Sequence, residues 1–242
     1  MRVIALLLAL VALQCWGAEK PRIVFIAGEY EYESRETLPA FASELGREFA
    51  VETVILKRPD NEKLQSIPGL EALREADLAV LFVRRMTLPE SELAEIRKYL
   101  EAGKPLVALR TSSHAFENWK EFDKEVLGGN YKGHHGNRLK TTVTVMEDAQ
   151  RDPSLNGVKG FVSEGSLYKN TPLQKEAKVF LIGKVEGHPP EPIAWTHEYK
   201  GGRIFYTSLG HPNDFTEESF KRLVRNGIEW ALREPLQKTE AK

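Results

Sequence analysis

DLAVLFVRRMTLPESELAEIRKYLEAGKPLVAL, residues 77–109, is the stretch on which the fold turns. Asp77 to Val83 and Pro105 to Leu109 are apolar runs without polar alternation, the pattern of strands buried on both faces of a sheet. Between them Thr87, Pro89 and Glu90 carry N-cap, early-proline and capping-box signals together, and the helix they open runs to Ala102 and stops at Gly103. Strand, helix, strand at this spacing is a crossover unit, and its two strands run parallel.

The same alternation extends towards the N-terminus. Ile23 to Ala27 is a third continuous apolar run, ended by Gly28, and a polar, aromatic loop, Glu29 to Glu33, follows it. Leu38, Phe41, Leu45 and Phe49 then recur at helical spacing, Val51 to Leu56 is rich in β-branched residues, and Leu70 to Glu75 is a short helix. Beyond residue 109 the pattern changes. Leu139 to Met146, Val179 to Val185, Pro192 to Tyr199 and Arg203 to Leu209 all read as strands with few helices between them, and Gly201-Gly202 predicts a hairpin. Glu217 to Leu232 closes the chain as an amphipathic helix with Phe220, Leu223, Val224, Ile228 and Trp230 inward. The fold predicted is α/β, a doubly wound, mostly parallel sheet with a C-terminal antiparallel hairpin and a closing helix.

The N-terminus reads as an export signal. Arg2, the apolar run Val3 to Leu13 and the small residues Gly17 and Ala18 stand in the order of a signal peptide's three regions. Gln14, Glu19 and Lys20 cap the apolar run well short of the roughly 20 residues that span a bilayer, so no stable membrane span is expected. Residues 1–18 are therefore predicted to be removed, and the chain to be exported, periplasmic or secreted. A lipid anchor on Cys15 is disfavoured by Gln14, a bulky polar residue where a small one is expected. Cys15 is the one cysteine of the chain, so the remainder is predicted to use no disulfide and no thiol nucleophile. Residues 19–236 carry no Pro/Gly/Ser-rich linker and read as one domain; 237–242 form a polar tail expected to fray. A formal net charge of −1 gives no reason to expect nucleic acid or an anionic membrane as partner.

Ligands of an open parallel sheet bind where its strands end, because loops and free helical N–H groups converge there. That rule selects Gly28-Glu29-Tyr30, Arg84-Arg85 and the polar run Arg110-Thr111-Ser112-Ser113-His114. Histidines are the second signal: His114, His134, His135, His197 and His211 lie in or beside loops and strand ends, and Gly128 to Gly136 is a flexible glycine-rich segment. That segment has neither the spacing nor the preceding strand of a phosphate loop. A divalent metal on imidazoles and a carboxylate such as Glu164 is conceivable, but no His-x-x-x-His or His-Glu-x-x-His pair is present. Counted from a Gly201-Gly202 turn, His211 lies about five residues further out than His197, roughly 17 Å at the rise of a strand, so the two are not expected to share a site.

The segment from His197 to His211, with Pro192-Ile-Ala-Trp195 before it and Phe215 after it, resembles the closing segment of the ThuA-like (trehalose utilisation) family. Gly128-Gly-Asn-Tyr-Lys-Gly-His134-His135 and Asn226-Gly-Ile-Glu-Trp-Ala231 agree with it. The resemblance implies a flavodoxin-like fold related to class I glutamine amidotransferases, and a role in sugar utilisation. Those amidotransferases place a cysteine on a sharp strand-to-helix turn and a His-Pro-Glu after the last strand. Here the cysteine position falls near Arg110, and His211-Pro212-Asn213-Asp214 resembles the second motif with Asn for Glu, so glutaminase chemistry is not expected. The family's histidine near the elbow is delayed to His114, and its acidic segment is stretched to Ser163-Glu164-Gly-Ser-Leu-Tyr168.

Taken together, the expectation is an exported protein acting on a small carbohydrate or an oxidised (keto) derivative, with His114, His211 and Glu164 as the acid/base set. Arg110 would stabilise an oxyanion, and Ser112, Glu29, Tyr30, Tyr131, His135 and Tyr168 would bind substrate. Hydrolysis, elimination and isomerisation all remain open. Two alternatives stand beside this one: a metal-assisted hydrolase using His135, Glu164 and His211, and a sugar-binding module without catalysis.

Overall fold

The computed structural model describes residues 19–239; the expected signal, 1–18, and residues 240–242 lie outside it. Nine strands form one sheet in the order β2-β1-β3-β4-β9-β8-β7-β5-β6. The first half is built from β1 (Arg22–Gly28), β2 (Glu52–Lys57), β3 (Leu78–Val83) and β4 (Leu106–Leu109), joined by β9 (Gly202–Thr207). All four junctions among these strands are parallel. β3 and β4 are buried at every residue, and β1 at every residue after Arg22, which is why their sequences read as unbroken apolar runs.

The other half reverses direction. β8 (Glu191–Tyr199), β7 (Lys178–Lys184), β5 (Thr141–Val145) and the two-residue β6 (Val162–Ser163) each pair antiparallel with their neighbours. The sheet is thus mixed rather than mostly parallel, with four of its eight junctions antiparallel. No long helix separates residues 141–207, and without a crossover the chain can only return antiparallel. The β8–β9 hairpin is present, but its turn is Lys200-Gly201, one residue earlier than the glycine pair suggested. Both turn residues have positive φ, 51° and 81°, as a tight two-residue hairpin demands, and Tyr199 pairs with Gly202.

Helices α1 (Ser34–Glu48) and α3 (Glu218–Leu232) cover one face of the sheet, where Leu38, Phe41, Leu223 and Ile228 pack with Phe25, Phe82 and Phe205. Helix α2 (Glu90–Glu101) and several short helical turns cover the other, where Leu93, Ile96 and Phe122 pack with Val24, Leu81 and Tyr206. Each fully buried side chain of this size contributes about 1.5–3 kcal/mol, so the chain is held by its core. Trp230, expected inward, is only half-buried and carries Arg203 on its ring. Thr87 does not cap α2; Pro89 stands at the cap, because the proline forces the residue before it out of the helical region. Among the described residues no helix is long and apolar enough to cross a membrane. At the described start of the tail, the Gln237 carbonyl accepts from the Ala50 N–H at 2.7 Å and the Thr239 N–H donates to Glu48 at 3.0 Å.

Candidate site around Arg110

The turn after β4 is the centre of the site. Arg110 leaves the strand with φ 41°, a left-handed conformation that side-chain-bearing residues rarely adopt, and at once enters a short helical turn, Arg110–His114. A strained strand-to-helix turn of this kind presents the nucleophile in α/β-hydrolases; here it carries a guanidinium. Hydrogen bonds hold it there: the Arg110 carbonyl accepts from the Tyr206 hydroxyl at 2.7 Å. Thr111 Oγ1 donates to Val83 at 2.8 Å, and Ser112 Oγ donates to Leu81 at 2.9 Å. Ser112, a substrate-binding candidate in the sequence, thus spends its hydroxyl on the backbone of β3.

The Arg110 side chain is 1% exposed. Its Nη1 donates to the Ser208 carbonyl at 2.9 Å, Nη2 lies 3.4 Å from Ser166 Oγ, and Nε has no partner. Its guanidinium carbon is 4.0 Å from the ring centroid of Tyr32 and 4.9 Å from that of Tyr168. Such contacts offset part of the cost of burying a cation. Gly165 makes the close approach possible, since a Cβ there would stand 2.6 Å from Arg110 Nη1. Asp214 is the carboxylate whose charge Arg110 feels, and it is already occupied: one of its oxygens accepts from Ser163 Oγ and from the N–H groups of Gly210 and His211.

From Arg110 the site extends through two rings. Tyr168 meets Tyr131 at 4.7 Å and His114 at 6.0 Å, and His114 stacks on Tyr131 at 4.3 Å with 15° between planes. Tyr131 arrives on the glycine-rich loop, which is laced to residues 167–169 by backbone bonds and anchored by Asp123, whose Oδ2 accepts the Tyr131 N–H at 2.7 Å. Burial, followed by the charges of Arg84, Arg85 and Arg110, pushes the His114 imidazole down to about 3, and its Nδ1 lies 3.1 Å from Ser113 Oγ. Through the other ring, Tyr32 meets His211 edge-on at 6.2 Å. His211 Nδ1 accepts from Asn213 N–H at 3.3 Å, which leaves Nε2 free; burial lowers its affinity for a proton, against the pull of Asp214.

The remaining candidates scatter. Glu164 is exposed and paired with Lys140 at 2.6 Å, reaching His211 as a charge alone. Glu29 is buried and its carboxylate accepts the N–H groups of Tyr32 and Ser34, both at 2.7 Å, so it shapes the loop that delivers Tyr32. Tyr30 turns away, its hydroxyl donating to the Pro59 carbonyl and its ring lying 5.0 Å from the guanidinium carbon of Arg58. Tyr32 takes the place expected of Tyr30; nothing in the spacing separates two tyrosines of one loop. His135 lies 3.7 Å from Glu191 and 4.7 Å from the His188 ring, while His134 is the imidazole whose charge reaches His114. His135, Glu164 and His211 therefore do not form a ligand set, and among the described residues no three His, Cys, Asp or Glu side chains converge to hold a metal. His197 packs on Gly128 and borders a different cleft, with Glu176 and Trp230.

No curated protein matches the chain. Solved structures do. A ThuA-like protein from Parabacteroides merdae superposes with a TM-score of 0.67 at 17% identity, over 92% of this chain and 94% of that one. A ThuA-like protein from Bacteroides uniformis gives 0.66 at 18% identity, over 88% and 93%. A β-galactosidase from Rahnella sp. R3 gives 0.57 at 14% identity, over 89% of this chain but 32% of that one. At these identities the likeness is one of fold. The model of the ThuA family, described as trehalose utilisation, matches residues 22–231, the whole sheet and its covering helices, and the chain therefore belongs to the ThuA family.

Proposed function

We propose that this chain is an exported enzyme of carbohydrate utilisation that acts on a sugar or keto-sugar derivative held against the tyrosines around Arg110. The observation that carries the proposal is the buried Arg110 guanidinium at the strained elbow, clasped by Tyr32 and Tyr168. Tyrosine rings offer flat apolar faces to the C–H faces of a sugar, and their hydroxyls offer hydrogen bonds at the rim. Membership of a trehalose-utilisation family agrees with that substrate class. The signal-like sequence of residues 1–18 supports export.

Roles follow from the electrostatics. An imidazole pushed down to about 3 is neutral throughout the physiological range, so His114 exchanges no proton there; it offers a neutral N–H or lone pair to a substrate oxygen. His211, with Nε2 free, is the proton-exchanging group. Glu164 acts on it from a distance, its negative charge favouring the imidazolium that forms. Arg110 fixes a positive potential where an oxygen gains negative charge. A screen of the purified protein against disaccharides and their keto forms, with binding and turnover recorded separately, tests this reading. Binding without turnover by any member of the set would favour the second reading, a sugar-binding module, which the sealing of Arg110 behind Tyr32 and Tyr168 supports.

A further inference from the structure

Apart from the ring of tyrosines around Arg110, a cleft of about 450 Å³ lies at the carboxyl ends of β1, β2 and β3. Its position is dictated by topology. β1 stands between β2 and β3, so the chain reverses its winding between β1 and β3, and the loops leaving these strands diverge and leave a crevice. Tyr30, Glu31, Arg58, Glu62, Arg84 and Arg85 line it.

The three arginines are not equivalent. Arg58 is buried and bound to its own loop: Nε donates to Leu64 at 2.9 Å and Nη2 to the Glu62 carbonyl, so it is part of the wall. Arg84 and Arg85 are held less fully. Arg84 Nε lies 2.8 Å from Glu31 Oε2 without the alignment of a hydrogen bond, and Glu31 is half exposed. Arg85 Nη1 is 3.7 Å from Glu117. Arg85 sits at φ 47° while its N–H donates to the His114 carbonyl at 2.8 Å. A strained backbone thus presents the side chains of two consecutive arginines to the cleft, near enough for their charges to act on His114. Of the cleft's three carboxylates, Glu29 already holds two backbone N–H groups, Glu31 is the exposed partner of Arg84, and Glu62 is exposed to solvent. After burial, which is the larger cause, the charges of Arg84 and Arg85 are the next to lower the His114 imidazole.

We propose that Arg84 and Arg85 form a subsite for a negatively charged substituent, a carboxylate or a phosphate ester, carried by the sugar derivative that sits against the tyrosines around Arg110. This rests on the sugar reading above and narrows its substrate class. A guanidinium fork matches either oxyanion with two parallel hydrogen bonds, and the anion replaces Glu31 and Glu117, which are solvated and free to withdraw.

Calorimetric titration of the purified protein with glucose, glucuronate and glucose 6-phosphate, in wild type and in the double variant R84Q/R85N, tests the subsite. Asparagine is chosen at 85 because it tolerates positive φ. Wild type is expected to bind one anionic sugar at least about tenfold more tightly than glucose, the worth of one charge-assisted pair. The double variant is expected to bind that sugar no better than glucose and to keep glucose within about twofold. Which of the two anions is preferred identifies the substituent. If the double variant unfolds early, Glu31→Gln replaces it: freeing Arg84 should tighten the anionic sugar alone. Equal affinity for all three sugars, or an equal loss of glucose and anion in the variant, overturns the subsite and leaves the sugar site standing. Anions bound through Arg84 and Arg85 with no neutral sugar bound leave the subsite and overturn the sugar site. No binding of any of the three by wild type overturns both.

Discussion

The guanidinium carbon of Arg110 lies 4.0 Å from the ring centroid of Tyr32, so a cation on an aromatic face ties the elbow after β4 to the loop after β1. Tyr32→Leu removes that face and should lower stability by about 0.5–2 kcal/mol, while Tyr32→Phe, which keeps it, should stay near wild type. Urea unfolding of the two variants measures the difference; equal losses would mean that the ring serves as volume alone.

Gly165→Ala places a methyl group 2.6 Å from Arg110 Nη1 and must displace the guanidinium. A loss of about 1–3 kcal/mol is expected, together with weakened sugar binding. Gly187→Ala is the control: it carries an unfavourable φ, 75°, which Gly165 does not, but has nothing within 4 Å, so a loss of about 1 kcal/mol or less is expected from the backbone alone. Thermal unfolding of both proteins checks the contrast.

Two buried groups oppose each other in the pH dependence of stability. His114 is held at about 3 against an ordinary 6.5, so between these values the unfolded chain binds the extra proton and stability falls as pH falls. Asp123 is pushed up to about 7 by burial, from an ordinary 3.8. Across that window the folded chain binds the extra proton, and stability is lost as pH rises through about 7. Between about pH 4 and 6.5 the two contributions cancel, so His114→Gln should leave stability falling as pH rises across that window and Asp123→Asn should leave it rising with pH there. Unfolding midpoints from pH 4 to pH 8 read both slopes, and a variant profile parallel to wild type would remove that residue from the account.

Much of this was legible in the chain because burial writes itself into composition. The unbroken apolar runs of β3 and β4 announce strands covered on both faces, and the position of Arg110 at the elbow follows from counting beyond Pro105. Antiparallel pairing of β5 to β8 was not legible as an extent, since a strand's sequence records which face is covered and not which neighbour runs beside it. The choice of Tyr32 over Tyr30 depends on Glu29 turning the loop with two backbone hydrogen bonds, and the neutrality of His114 depends first on burial and then on Arg84 and Arg85 from the loop after β3 and Arg110 on its own turn. Both are tertiary effects that local pattern does not carry.

Export and thiol independence can be checked together. The protein recovered after secretion should begin near Glu19, and thiol-modifying reagents should leave its function and stability unchanged, because no cysteine follows Cys15. N-terminal sequencing that found Met1 or a lipidated Cys15 would contradict the first expectation, and loss of function on alkylation the second.

The central claim, that His211 exchanges the proton at a sugar site built on Arg110, is tested most directly by turnover of a sugar derivative accepted by wild type in His211→Ala beside His197→Ala. His211 stands one aromatic ring from Arg110, whereas His197 packs on Gly128 beside a different cleft. The account predicts that His211→Ala lowers turnover by about 10²–10⁴-fold, the range of general acid–base catalysis, with little loss of folding stability, and that His197→Ala retains wild-type turnover. Equal losses from the two variants, or full turnover in His211→Ala, would contradict it.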